Sequence, residues 1–231
     1  MAGLTPQPGF HDMSESDWEA MAMDTLAELA WLPKRGNEIA PGSGERQSWD
    51  ELILASRLRE AIARINPHLP ASAVDDAVAV VTSAQSRDAM AENKRLHDFM
   101  VKGIRSVVYA DEHGAEHNPT IRLIDHRDVG NNDFLVANQV DVRDGDARRR
   151  FDVVLFLNGL PVGLIELKKA GDAYADLEGA QAQIRTYVEE LPLAFRANVV
   201  CVVSDGITAR YGTAFTPYEH YSPWNVDERG D

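Results

Sequence analysis

Asp152, Glu166 and Lys168 fall within the run FDVVLFLNGLPVGLIELKK, residues 151–169, which is otherwise strongly apolar. A strand pair this hydrophobic is bound for the interior, and burying unpaired carboxylates costs several kcal/mol each, so the two acids need a partner. Asn158-Gly159 marks a hairpin turn, and residues two apart in a strand share a face, so Glu166 and Lys168 point the same way. A three-residue loop at 158–160 would set Asp152 directly opposite Glu166, whereas a two- or four-residue loop would offset them by one position. Like charges facing each other across a ladder are destabilising unless a cation lies between them, and paired carboxylate oxygens suit a hard ion such as Mg²⁺. An amine beside that ion favours a hydroxide or the charge that develops on a phosphoryl oxygen. The chemistry these residues suggest is metal-assisted hydrolysis of a phosphate ester. The alternative is ordinary: Asp152 starts a strand, and Glu166, Lys168 and Lys169 are its partner's solvated end, where lysine blocks edge-to-edge aggregation.

The elements that must position these residues read as follows. Residues 1–13, with Pro6, Pro8 and Gly9, form a flexible lead, and the overlapping capping boxes of Ser14 to Glu19 open a first helix. Its stripe of Met21, Leu26, Leu29 and Leu32 would be stopped by Pro33. Ser48 with Glu51 caps a second helix, with Leu54, Leu58, Ile62 and Ile65 at helical spacing, which Asn66-Pro67 ends. A third helix runs from Ser72 to about Ser83 and a fourth from Ser86 to Met100. After Gly103 the pattern turns strand-like in IRSVVYA, TIRLIDH, FLVANQVDV, FDVVLFL and PVGLIELKK. A helix from Asp172 to about Leu191, the strand ANVVCVVSDG and an irregular tail holding Trp224 complete the chain. This order predicts an α/β domain with a mixed sheet and a helical N-terminal elaboration.

Composition narrows the function. No run of eighteen apolar residues and no secretory leader is present, so neither a membrane span nor export is expected and the cytoplasm is the default. Cys201 lies in the apolar run ANVVCVV and reads as a small core residue. The net charge of −14 argues against a domain that grips nucleic acid unaided. It is unevenly spread, because residues 143–196 hold eight basic and nine acidic side chains, leaving about −13 elsewhere. Arg148 to Arg150, just before Asp152, either meet a DNA backbone or form a charged turn. His113, Glu116 and His117 imitate a metal spacing but sit in an expected turn, and Asn93, Asp125, His126 and Asn132 carry no chemical argument of their own.

An acid followed about a dozen residues later by Glu-x-Lys on the adjacent strand resembles the PD-(D/E)xK nuclease signature. The longer blocks RLREAIARINPHLP, NDFLVANQVDV and FDVVLFLNGLPVGLIELKK, then QIRTY and SDG with a downstream Trp, resemble in order the N-terminal nuclease domain of the type I restriction enzyme motor subunit, from about Ser14 to Trp224. That resemblance implies a restriction-endonuclease-like α/β core in a nuclease domain over 14–224, helical to about 101 and sheet-rich from about 103 to 211, with 225–231 leading towards a motor. It implies that Asp152 and Glu166 bind Mg²⁺, for which Mn²⁺ would substitute, and that Lys168 polarises the attacking water. Glu19 on the first helix is the expected additional acid, with Glu15 and Asp17 as neighbours that leave the assignment open. Gln183 and Tyr187, four apart on one helical face, match the family's Q-x-x-x-Y element as donors to a DNA phosphate or a catalytic side chain, although Tyr187 also fits a core stripe. The family's proline before the first acid is Phe151 here. The implied substrate is double-stranded DNA, and the implied partners are modification and specificity subunits and an ATP-driven translocase. The chain itself has no G-x-x-x-x-G-K-[ST] loop and is not expected to bind ATP through one. A non-cleaving coupling or assembly module on the same fold is the competing expectation.

Overall fold

The computed structural model describes residues 14–168, 177–206 and 208–224. The expected flexible lead, Lys169, the first residues of the helix expected from Asp172, and the C-terminal tail lie outside them. Five α-helices are described: α1 (Glu15–Glu28), α2 (Ala55–Ile65), α3 (Ala71–Thr82), α4 (Ala89–Lys102) and α5 (Leu177–Glu190). The strands are β1 (Leu32–Arg35), β2 (Tyr109–Ala110), β3 (Glu116–His117), β4 (Phe134–Asp144), β5 (Ala147–Leu157), β6 (Leu160–Leu167), β7 (Val200–Ser204), β8 (Ala209–Gly212) and β9 (Ser222–Pro223). Seven strands form one sheet in the order β1-β4-β5-β6-β7-β8-β9, with β1–β4 and β6–β7 parallel and the other pairs antiparallel. Helix α5 packs Leu177, Ala180, Ile184 and Tyr187 into the main core on one face, while Trp18 of α1 joins Val136, Val153 and Leu167 in a smaller cluster. Helices α2, α3 and α4 enclose a second core with Leu160 of the hairpin. This is a mixed α/β architecture consistent with a PD-(D/E)xK-like core and a helical N-terminal part, as the sequence predicts.

The hairpin owes its register to two devices. Asn158 and Gly159 both adopt positive φ, +52° and +79°, the requirement of a two-residue type I′ turn. The turn pairs Leu157 with Leu160, and an irregularity beyond Phe156 then inserts one extra residue, so that Leu155 faces Gly163 and Val153 faces Ile165. A two-residue turn plus a bulge thereby produces the register that the sequence reading required of a three-residue loop. Gly159 also carries the contact that places α2. Its carbonyl accepts the Leu54 N–H at 2.8 Å, and a Cβ there would lie 2.4 Å from the Leu54 oxygen. That tertiary bond replaces the expected Ser48/Glu51 cap: Ser48 bonds Asp50 instead, Glu51 accepts the Ile53 N–H, and α2 begins at Ala55.

Other expectations are corrected. Helix α1 ends at Glu28, and Pro33 lies inside the edge strand β1, where no ladder partner is needed on the outer side. The expected stripe is largely outside: Leu29 and Leu32 are exposed, and Trp18 and Glu19 are the buried residues of the helix. Helix α4 starts after Asp88, whose side chain accepts the Ala91 N–H, rather than at Ser86. The runs 104–110 and 120–126 are not strands of the main sheet. Ile104 and Ile121 form one isolated bridge, Tyr109–Ala110 pairs only with Glu116–His117, and the apolar side chains of Ile104, Val107, Ile121 and Leu123 fill the helical core. The tail expected to be irregular supplies β8 and β9.

The end of α1 explains why the helix stops before the proline. Trp31 N–H bonds the Leu26 carbonyl and Ala30 N–H the Ala27 carbonyl, a Schellman closure, with Ala30 at φ +67° where glycine is the usual residue. An L side chain in that conformation costs about 1–2 kcal/mol, partly offset by glycine's greater freedom when unfolded. Ala30→Gly is therefore expected to raise stability by about 0.5–1 kcal/mol, read as a higher urea midpoint at unchanged m value.

Candidate active site

The β5–β6 pairing runs to Val153 and Ile165, so the next residues across the ladder are Asp152 and Glu166. The two strands part there. The Leu167 N–H donates to Asp152 Oδ2 at 2.8 Å, so a side-chain oxygen takes the place of a ladder carbonyl. On its far side β6 stays rigid: Glu166 pairs with Val203, Leu167 with Ser204, and Lys168 N–H bonds the Ser204 carbonyl at 2.8 Å. The β4 ladder also skips this level, since Asn138 pairs with Val153 and Val140 with Phe151, while Gln139 between them has φ +53°. Asp152 therefore lies at a gap in the pairing on both sides, and its carboxylate is free to face Glu166.

The Glu166 side chain is only 1% exposed. Its Oε1 accepts Lys168 Nζ at 2.9 Å, and its Oε2 is buried with no hydrogen-bond donor among the described residues. Burial, then the Asp152 charge, push the Glu166 carboxyl up to about 7 against the pull of Lys168. Burial also raises Asp152, opposed by the Leu167 N–H and Lys168. Lys168 Nζ donates as well to Gln183 Oε1 at 2.9 Å, and Gln183 Nε2 donates to the Tyr187 hydroxyl. Both readings of Tyr187 meet here: its ring is buried against Phe151, centroids 5.0 Å apart, and its oxygen ends the polar chain. Burial, reinforced by the Glu166 charge, pushes its hydroxyl up to about 12, so it stays protonated. Phe151, standing where the resembled motif has proline, packs between Tyr187 and Phe195.

Glu19 approaches from α1. It is buried, accepts Asn138 Nδ2 at 3.2 Å and Gln139 Nε2, and has its carboxyl raised chiefly by burial, with the Asp152 charge adding to the rise. Glu15, one turn earlier and exposed, adds a like-charge push on Asp152, Glu166 and Glu19. Asp17, the other neighbour, is engaged with Ser14 in the helix cap. Trp18 anchors the helix against Gly206, where a Cβ would lie 2.0 Å from the indole. The structure thus brings Glu19, Asp152, Glu166, Lys168, Gln183 and Tyr187 to one region. Sequence reasoning missed Asn138 and Gln139, the donors to Glu19. The available signal was the polar pair NQ interrupting the apolar run FLVANQVDV.

Among the described residues no group of three His, Cys, Asp or Glu side chains is close enough to share one cation. The donor set open to a metal is the Asp152–Glu166 pair. Two carboxylates, one with an unengaged oxygen, fit Mg²⁺, which keeps several waters and is completed by substrate phosphates. His117 instead bonds Asp111 and stacks on Tyr109, in an exposed hairpin far from any such set. Cys201 is a fully buried core residue.

A mixed sheet flanked by helices, with a carboxylate pair and a lysine where two central strands part, defines an α/β protein and is consistent with a PD-(D/E)xK-like core. Residues 12–220 match the family described as type I restriction enzyme R protein N terminus, and the chain belongs to that family. It is 32% identical over 221 residues to the type I restriction enzyme HindI endonuclease subunit of Haemophilus influenzae, covering 94% of this chain and 21% of the relative. It is 29% identical over 222 residues to the putative type I restriction enzyme MjaIXP endonuclease subunit of Methanocaldococcus jannaschii, covering 92% of this chain and 20% of the relative. The chain thus spans about a fifth of the length of these relatives.

The raised Glu166 carboxyl has a stability signature. Between its ordinary value of 4.5 and about 7 the folded state binds more protons than the unfolded one, so this group's contribution is full below 4.5 and falls as pH rises through 7. Glu166→Gln removes that loss. Relative to wild type it is expected to gain a few kcal/mol between about pH 4.5 and 7 and to change little above, as read from urea midpoints across that range without divalent ions.

Proposed function

We propose that this chain is a metal-dependent endonuclease domain that hydrolyses phosphodiester bonds of double-stranded DNA within a type I restriction enzyme. The observation that carries the proposal is the buried, unengaged Glu166 oxygen facing a second carboxylate with an amine alongside. Asp152 and Glu166 would hold Mg²⁺, or Mn²⁺ in its place. Bound there, the ion supplies a lowered pKa for its water and charge neutralisation for a phosphoryl oxygen.

The chain's own residues do the rest. Lys168 Nζ orients the attacking water and faces the charge that develops on phosphorus-bound oxygen. Gln183 fixes the amine, since its Oε1 accepts from Lys168 while its amide nitrogen is tied to Tyr187. Glu19, held by Asn138 and Gln139, adds an acid beside Asp152 that orients water or takes up a proton. Buried packing around Tyr187 and Phe151 keeps the Lys168–Gln183 link from swinging into solvent.

The relatives' names place them in type I restriction enzymes. The accompanying proposals are a motor that hydrolyses ATP outside this chain, modification and specificity subunits that recognise the DNA, and a cytoplasmic setting. No described helix is long and apolar enough to cross a membrane. A second reading, a non-cleaving assembly module, draws on the acidic surplus of about −13 outside residues 143–196, which suits contacts with basic protein surfaces.

Asp152→Ala and Lys168→Ala, each placed in an assembled restriction complex, are expected to lower DNA cutting by at least about 10²-fold while ATP hydrolysis and translocation persist. Cutting at the wild-type rate by either variant would defeat the site assignment. Calorimetric titration of Mg²⁺ or Mn²⁺ into this chain should show binding that Glu166→Ala abolishes. Identical heats for the two proteins would favour the assembly reading.

A further inference from the structure

Beside the carboxylate site, along the edge formed by β1 and β4, runs an open groove of about 420 Å³ lined by Arg35, Asn37, Trp49, Gln139, Asp141 and Arg150. Its charge is opposite to that of the chain. Arg143, Arg148 and Arg150 all converge on the single carboxylate of Asp141, at 3.7, 2.8 and 3.3 Å, and Arg35 has no ion-pair partner among the described residues. Four guanidinium groups against two carboxylates, Asp141 and Glu38, the latter accepting the Arg35 N–H at 2.7 Å, leave a local surplus of two positive charges on a protein whose net charge is −14.

The groove is a built feature. Arg46, almost wholly buried, donates from its three nitrogens to the carbonyls of Glu51, Asp141 and Trp49, which fixes the Trp49 loop onto β4. Arg143 lies over the Trp49 ring at 4.0 Å and its N–H bonds the Trp49 carbonyl. On the other wall, a Cβ at Gly36 would lie 2.1 Å from the Gln139 carbonyl oxygen, so the turn after Arg35 is pressed against β4. Gln139 is the partition between the groove and the acids: its Oε1 accepts Arg150 Nη1 at 3.2 Å and its Nε2 donates to Glu19.

We propose that this groove is a subsite for the sugar–phosphate backbone of duplex DNA, in which Arg35 and Arg150 contact phosphates flanking the one presented to Asp152 and Glu166. The proposal rests on the nuclease reading of that site and extends it to how the substrate is held. Guanidinium forks match phosphate oxygens, and the flanking amides supply neutral donors. Gln139 then makes substrate position and Glu19 position one geometric problem, because the same amide touches an arginine of the groove and the acid of the site.

The test uses this chain, a fluorescent duplex oligonucleotide, and Ca²⁺ to support binding without turnover, with anisotropy read over a salt series. The double variant Arg35→Gln/Arg150→Gln is expected to bind at least tenfold more weakly than wild type and to lower the slope of log K against log salt by about 2, near 0.9 per phosphate contact. A control of equal charge change, Arg122→Gln/Arg127→Gln, both exposed and remote from the groove, should stay near wild type. Equal losses in both double variants, no loss in the groove variant, or a wild type that holds the duplex no better than the groove variant would each overturn the proposal. Mg²⁺ or Mn²⁺ calorimetry on the same proteins separates the two levels. Intact metal binding alongside an unaffected duplex affinity rejects the groove alone, and absent metal binding in wild type rejects the reading of the site beneath it.

Discussion

Two carboxylates held in an apolar sheet at the point where β5 and β6 separate set the terms for the rest of the molecule. Strand pairing of the ordinary kind would carry Asp152 past Glu166 with no free backbone donor, and a shift of one residue would turn Glu166 to the opposite face. The chain prevents both. The type I′ turn and the inserted residue beyond Phe156 fix the hairpin at one register, and β7 holds Glu166 to Lys168 from the other side. At Gln139 the β4 ladder lapses at the level of Asp152, which gives that side chain room to take the Leu167 N–H. The irregularities of the central strands are concentrated where the charges are, which is where regular structure would be least compatible with them.

Two helices then approach this point from different directions with different tasks. Helix α5 carries Gln183 and Tyr187 on one face, so a single i, i+4 pair both packs the core against Phe151 and ends a hydrogen-bonded chain through Lys168 to Glu166. Helix α1 brings Glu19 while contributing little to the main core, and its seat is the contact of Trp18 with Gly206 together with the bonds to Asn138 and Gln139. The raised carboxyls of Glu166, Asp152 and Glu19 show the sense of this arrangement: burial makes the ionised form of each less favourable than in water. An arrangement that destabilises its own ionised form is weakly explained by stability and better explained by a ligand of opposite sign.

The parts of this architecture legible in the sequence are those written in local chemistry. Asn158-Gly159 and the apolar alternation around it give the hairpin, and helical spacing gives α3 and the end of α2 to within a residue or so. For the candidate site residues of β5, β6 and α5, two-residue and four-residue periods show which share a face, and the resemblance to a known family singles them out. What escaped depends on contacts distant in sequence. Pro33 stops a helix in isolation, yet here it sits in an edge strand because α1 has already closed at Ala30. The runs 104–110 and 120–126 have strand composition, but α2, α3 and α4 bury their side chains before any sheet edge reaches them. The polar pair at Asn138 and Gln139 marks the position, but the geometry of Gln139 does not follow from it, since its two partners, Glu19 and Arg150, come from separated segments and its φ is positive.

Charge ties the local site to the whole molecule. For a protein that acts on a polyanion, a net charge of −14 suppresses capture from solution, and steering by the overall field works against the encounter. The three guanidinium groups around Asp141, with Arg35 nearby, offset that field locally at the groove, and on the proposed function a divalent ion between the carboxylates makes the pair tolerable to a phosphate. Under the proposed function the chain is therefore poor at finding DNA and well arranged to act on DNA already brought to it. The chain spans about a fifth of its relatives' length, and on that proposal delivery would fall to the rest of a longer enzyme and cutting would wait until both metal and strand are in place.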